Sequence, residues 1–242
     1  MPETLPGDGD GMPAHLRVSL ADRPGALAAL TRALAAAGAN VLSVTVLQRE
    51  AGRAVDDLLL DWPFARPWDG VVRAVEGCNG ARLQGLRHIP TATAPTDADV
   101  IEQVLRQPHR AAEVLVESLP ASLLADWAAV VQRRWPRDPV LATAHTPLPL
   151  PVMPAALPRP RAMVIDEMPV IALPVGGGEV RLLVGRGEGP AFTRSERDRC
   201  AALLAVVAGI ARLAYDDAPT VPPATLTAML VDERQLTPLT VT

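Results

Sequence analysis

Apolar and polar residues alternate from Leu16 to Leu20 (Leu-Arg-Val-Ser-Leu), the period-two pattern of a strand with one buried face. The period then changes. Ala26 to Ala37 is nearly all alanine and leucine, strong helix formers, and Leu27, Leu30 and Leu34 share one helical face. Between strand and helix lies Asp22-Arg23-Pro24-Gly25. Asp22 is placed to accept from the free N–H groups of the first turn, and Pro24, in or beside that turn, loses little by lacking an N–H. Gly38 offers the left-handed backbone that ends a helix. Val41 to Val46, rich in β-branched residues, predicts a second strand. Gln48 to Arg53, with Gly52, predicts a hairpin turn, and Ala54 to Leu60 a third strand. Trp62 to Trp68, with its prolines and aromatics, predicts a loop packed on the domain. Trp68 to Val75 predicts a short helix and Ala81 to Ile89 a fourth strand. The order is βαββαβ, preceded by an acidic, Gly/Pro-containing stretch, Met1 to Pro13, expected to be a disordered tail.

The pattern changes again after Pro90 to Asp97, a linker by composition. Ala98 to Arg106 and Ala111 to Leu119 have helical spacing. Pro120 is placed to open another helix, with Leu123, Leu124, Trp127, Val130 and Val131 on its apolar side. Arg133-Arg134-Trp135-Pro136-Arg137 ends that helix. Val140 to Ala144 predicts a short strand, and Thr146 to Pro160 is too proline-dense for regular structure. Ala162 to Pro174 and Glu179 to Arg186 predict two strands of a hairpin joined at Gly176 to Gly178. Thr193 and Glu196 form a capping box for a long helix, Arg194 to Tyr215. Asp216 to Thr242 is expected to be a loose tail.

Leu-x-Val-x-Leu-x-Asp-Arg-Pro-Gly-x-Leu, a helix and then Gly38-Ala39-Asn40-Val41 together resemble the start of an ACT domain, a ferredoxin-like βαββαβ module. The resemblance covers residues 14–89, and the second helix is shorter than the family's usual one. It implies an amino-acid-binding regulatory module that pairs into homodimers. Residues 98–215 are similar to a divergent, shortened GAF domain, on Leu-Ala-Asp-Trp-Ala-Ala-Val (Leu124 to Val130), Leu182 to Arg186, and Phe192-Thr193 before a helix. GAF domains are α/β sensor modules, but the proline-rich Thr146 to Pro160 stands where that family builds its ligand lid, so no ligand residue is assigned there. The expected fold class is therefore α+β: a ferredoxin-like ACT domain followed by an α/β GAF-like domain.

Composition narrows the chemistry. All 23 basic residues are arginine, which excludes a lysine nucleophile, a pyridoxal-phosphate Schiff base and a Walker A lysine. A net charge of −4 weighs against nucleic acid, and the arginines before Pro136 suit a helix C-terminus better than base stacking. No apolar run is long enough to cross a bilayer, and Met1 to Pro13 lacks the pattern of a signal peptide. A cytoplasmic protein with no membrane contact is expected. Cys78 and Cys200, the two cysteines, lie in different expected domains, so no disulfide framework is expected. His15, His88, His109 and His145 are scattered singly, and no metal, cofactor or catalytic motif is found. His15 and His88 end the first and fourth strands, which the topology does not make adjacent by rule. Neighbouring Asp56 and Asp57 point to opposite faces of a strand, and similar ACT domains often carry an aspartate there. The pair is expected to mark a partly solvated strand rather than a metal site. The glycines from Gly185 to Gly189 suit turns better than a phosphate cradle.

The candidate ligand site is the loop Leu20, Asp22, Arg23, Pro24, Gly25, Ala26 and Leu27, with Asn40. The helix N-terminus suits a carboxylate, Gly25 lets a ligand approach the backbone, Asp22 is placed for an ammonium, and Asn40 can donate and accept. In similar serine-binding ACT domains, residues at the positions of Leu20, Asp22 and Asn40 contact the ligand. Leu20 departs from a histidine and Asp22 from an asparagine. The plainer reading, in which Asp22 caps, Gly25 eases packing and Asn40 supports a turn, stands beside it. Three functions remain open: a non-enzymatic amino-acid sensor that relays to an unknown protein partner, an enzyme with its centre between Thr146 and Leu213 regulated by the ACT half, and an ACT domain used for oligomerisation alone.

Overall fold

The structure, a computed structural model, describes residues 11–63, 66–89, 94–132, 140–145, 150–154, 156–175, 180–187 and 189–217. The chain divides into two compact units, Met1–Ala92 and Thr93–Thr242. Among the described residues no helix is long and apolar enough to cross a membrane.

The first unit runs β1 (Gly11–Ala21), α1 (Ala26–Ala36), β2 (Asn40–Glu50), β3 (Arg53–Pro63), α2 (Asp69–Glu76) and β4 (Arg82–His88). Its four strands lie in the order β2-β3-β1-β4, each antiparallel to its neighbours. Alternation decides which face meets the helices. Leu16, Val18 and Leu20 of β1 and Leu58, Leu60 and Trp62 of β3 pack against Leu30 and Leu34 of α1 and Val71 and Val75 of α2. Burying each large apolar side chain contributes about 1.5–3 kcal/mol. β1 begins at Gly11, inside the stretch expected to be a tail. Trp62, expected in a loop, ends β3 fully buried, stacked 6.1 Å from Trp68. Its indole N–H donates to Arg66 O at 3.1 Å, and Arg66 in turn donates to Ala37 O at 3.2 Å, closing the end of α1. Gly38, at φ 91°, completes that end: Gly38 N donates to Ala35 O and Ala39 N to Leu34 O, the paired bonds of a left-handed helix stop. The β2–β3 hairpin turns through Ala51 and Gly52, both at positive φ.

The second unit is an antiparallel sheet of five strands among the described residues, with its helices packed on one face. The elements are α3 (Asp97–Arg106), α4 (Ala111–Ser122), β5 (Trp127–Gln132), β6 (Val140–Ala144), β7 (Arg161–Ile165), β8 (Met168–Val175), β9 (Val180–Gly185) and α5 (Arg194–Asp217). The strand order is β6-β5-β9-β8-β7. Val130, Ile171, Leu173, Leu182 and Val184 face Val104, Leu115, Leu119, Leu203 and Val207 of the helices. The opposite face, Trp127, Ala129, Val131, Val170, Ala172 and Leu183, packs against Leu157, Leu150 and Met153 of the proline-rich segment. That segment has no regular structure where it is described, as its prolines predict. α3 reaches into the expected linker, with Thr96 and Asp99 forming a reciprocal cap.

Two expected elements are corrected. Pro120 does not open a helix. It lies in the last turn of α4, which ends at Ser122, and Ala125 N donates to Pro120 O as the chain turns through Leu124 at φ 49°. Trp127 to Gln132, expected on that helix, forms the strand β5. Trp127 to Val131 is apolar without interruption, and such a run suits a strand buried on both faces as well as a helix. The Leu124–Val130 motif that suggested a GAF helix is therefore turn and strand, and nothing identifies a GAF domain here. Second, Ala162 to Pro174 is not one strand but the hairpin β7–β8, which turns at Asp166 and Glu167, both at positive φ. The clusters Arg133–Arg137 and Gly176–Gly178, and the tail after Asp217, lie outside the described residues.

Small size is required at Gly185. The Trp127 ring lies where a Cβ on Gly185 would have to sit. Gly185→Ala is expected to lower the stability of the second unit by about 1–3 kcal/mol through overpacking, read from its urea midpoint. An unchanged midpoint would show that the ring moves aside freely.

Candidate ligand site in the first unit

The loop between β1 and α1 sits on the β2–β3 hairpin. Asp22 N donates to Gly52 O at 2.9 Å, and Arg23 N to Ala21 O at 2.9 Å. Gly25 is the residue before α1, at φ 84°, and no side chain caps the helix. The expectation that Asp22 caps α1 is corrected. Its carboxylate lies 3.8 Å from Arg49 Nε on β2 instead. Asp22, Arg23, Pro24 and Gly25 are exposed, Ala26 and Leu27 half-buried. Leu20 is buried on the helix face. α1 thus presents an uncapped N-terminus to solvent, a partial positive charge with unfilled N–H groups.

Asn40 is not beside this loop within one chain. It pairs with Asp61, and Asp61 with Pro13, whereas Ala21 pairs with Arg53 and Arg53 with Glu50. The two ends are eight strand positions apart on β1, about 26 Å at 3.3 Å per residue. The structure brings Leu20 and Asp22 to Leu27 together and sets exposed Asn40 at the far end of α1.

Sequence reasoning missed a buried polar network. Arg17 Nε and Nη2 donate to Asp57 Oδ1 and Oδ2, both at 2.6 Å, and His15 Nε2 lies 2.9 Å from Asp57 Oδ1. Burial pushes the Asp57 carboxyl up, but the hydrogen bonds from Arg17 and His15 outweigh it and hold the group down at about 2. Arg53 donates to Ser19 Oγ at 2.7 Å and to Ser19 O at 2.8 Å. These residues occupy the sheet face away from α1 and α2. The alternation of β1 shows that His15, Arg17 and Ser19 share that face; it does not show that the face is buried. The solvated reading of Asp56-Asp57 is corrected, since both are buried, though on opposite faces as expected.

The remaining candidates are structural. β1 and β4 are neighbours after all, with Ala14 paired to His88 and His15 to Arg87. His15 and His88 therefore point to opposite faces, and the His88 ring lies 4.4 Å from Trp68. Among the described residues no three of His, Cys, Asp or Glu gather as a metal site would need. Burial pushes the Cys200 thiol up to about 12, so the thiolate is unavailable at neutral pH. At the loop after β9, Thr193 N and Oγ1 donate to Glu196 Oε2 at 2.7 and 2.9 Å. A side-chain carboxylate already holds the place a phosphate would take.

The βαββαβ order of elements and the antiparallel sheet of the first unit are consistent with the resemblance stated above. The ACT domain family model matches residues 14–60. The match spans β1 through most of β3 and includes every residue of the candidate site. It points to a regulatory role in binding a small ligand. No curated protein matches the chain. A crystal structure of an unknown protein from Galdieria sulphuraria is similar over 82% of this chain and 92% of its own, at 13% identity and a TM-score of 0.30. At that level the fold of this chain rests on its own topology.

Proposed function

We propose that the protein is a regulatory sensor whose ACT unit binds a small amino acid between two copies of the chain, at the Asp22–Leu27 loop of one and Asn40 of the other. The observation that carries this reading is the character of β2. It is an edge strand of 11 residues, and Leu42, Val44 and Val46 are 46, 37 and 47% exposed on it. A long, apolar, unpaired edge is a template for another strand, and a two-fold partner satisfies it with the same surface. Antiparallel pairing of β2 with its mate about Thr45 sets Asn40 of the partner subunit against Glu50. Glu50 shares its end of the sheet with Arg53, Ala21 and the candidate loop. The 26 Å that separates Asn40 from the loop in one chain thus becomes a reason for a site built from two.

In such a site the ligand carboxylate faces the α1 N-terminus and the ammonium faces Asp22. The second unit is read as a relay and is assigned no ligand. The test is the melting temperature of the full chain against each of the twenty amino acids. A ligand at about a hundredfold its Kd adds roughly 2.7 kcal/mol, which raises Tm by about 5–11 °C in a chain of this size. At least one amino acid is expected to do this. No shift with any of them contradicts the proposal.

A further inference from the structure

Asp56 is a carboxylate that the fold itself leaves unused. Its residue is 3% exposed, and Oδ1 has no hydrogen-bond partner. An ionised carboxylate without donors is costly to bury, and such exceptions in a folded protein call for an explanation. Its position supplies one. Asp56 pairs with Val18 of β1 and Val46 of β2, so it faces α1. Two positions along β3, on the same face, Ala54 pairs with Arg49, the residue 3.8 Å from Asp22. Asp56 feels both Arg49 and Asp22 electrostatically. α1, packed over this face, carries one ionisable residue, the exposed Arg32. β1 contributes none there, since Arg17 and His15 face the other way. Among the described residues no hydrogen bond reaches Asp56 Oδ1.

We infer that Asp56 is the specificity-determining residue of the amino-acid site proposed above: with Asp22 it receives the ligand ammonium, so that the site takes α-amino acids and rejects the corresponding 2-hydroxy acids. This rests on that proposal. A cation brought between Asp56 and Asp22 satisfies the orphaned oxygen and relieves the mutual repulsion that, after burial, pushes the Asp56 carboxyl up. A hydroxyl carries no charge to offset the two carboxylates and a single proton to donate, so it serves Asp56 less well than an ammonium does.

The experiment uses the full chain and three arms. Wild type is titrated with each of the twenty amino acids, and then, for each that raises Tm, with its 2-hydroxy acid. Asp56→Asn and Asp56→Glu are titrated with the same amino acids. At least one amino acid is expected to shift wild type and its 2-hydroxy acid not to. Asp56→Asn is expected to melt at or above the wild-type temperature without ligand and to bind at least tenfold more weakly, with Asp56→Glu restoring part of the affinity. A 2-hydroxy acid that binds as tightly as its amino acid overturns the inference and leaves the amino-acid site standing. So does wild-type affinity in Asp56→Asn. The hydroxy-acid arm needs no variant, so a folding defect in Asp56→Asn does not blunt it. If no amino acid shifts wild type, the site and the role of Asp56 fall together.

Discussion

Arg17→Met is expected to destabilise the first unit by about 3–5 kcal/mol, the cost of leaving one partner of a buried ion pair behind. Arg17 is fully buried, and two of its nitrogens lie 2.6 Å from the two oxygens of Asp57. Without the guanidinium, Asp57 stays buried with His15 as its near neighbour. A typical domain holds about 5–15 kcal/mol in all, so the variant should unfold at low urea. The double variant Arg17→Met/Asp57→Leu removes both charges and should recover most of the loss. A single variant that costs less than about 1 kcal/mol would show that the pair is not what holds this sheet face.

The same pair sets an acid limb. Asp57 is held down at about 2 in the folded protein against 3.8 ordinarily. The folded state therefore binds fewer protons than the unfolded chain as pH falls below about 4. Its contribution of about 2 kcal/mol is complete above that point and is lost progressively as pH falls through about 2. Asp56 acts in the opposite sense, because its carboxyl is pushed up by burial. It costs stability as pH rises above the ordinary carboxylate range. Asp56→Asn should therefore gain stability at neutral pH relative to pH 4, while Arg17→Met should flatten the acid limb.

Arg186→Met is expected to cost the second unit a comparable 3–5 kcal/mol. The fully buried guanidinium donates to Leu124 O at 3.0 Å, Leu123 O at 2.7 Å, Pro190 O at 2.9 Å and Glu196 Oε1 at 2.5 Å. It also lies 3.9 Å from the Phe192 ring centroid. One side chain thus joins the turn after α4, the end of β9 and the first turn of α5. Removing it strands carbonyls and a buried carboxylate at once. Arg186→Lys should recover part of the loss, because an ammonium cannot match the planar fork. Urea unfolding of the full chain reads both. Wild-type midpoints in Arg186→Met would contradict the assignment.

How much of this could be seen in the residues depends on the kind of signal. Leu16, Val18 and Leu20 alternate, Leu30 and Leu34 recur at helical spacing, and both lead to the elements found. Gly38 and the Thr193–Glu196 box are local chemistry, and both stand where the residues put them. The strand β5 was hidden because an uninterrupted apolar run has no period to read. The β7–β8 turn was hidden because Asp166 and Glu167 take positive φ without a glycine. The burial of Arg17 and Asp57 depends on what covers a sheet face, which no local window contains. The displacement of Asn40 was legible in principle. A helix that returns along a sheet delivers the next strand parallel to the first, so β2 starts where β1 starts.

The claim that the site is shared between chains has a direct measurement. Asp22→Arg damages the loop and Asn40→Leu the facing strand, and both residues are exposed. Each variant alone should bind none of the amino acids that shift wild type. After subunit exchange in an equal mixture, about half the dimers are hybrids, and each hybrid has one intact site of two. Calorimetric titration of the mixture should therefore find about a quarter of the wild-type sites at wild-type affinity. A mixture that exchanges and binds nothing, or an Asn40→Leu protein that binds as well as wild type, would contradict a site built from two chains.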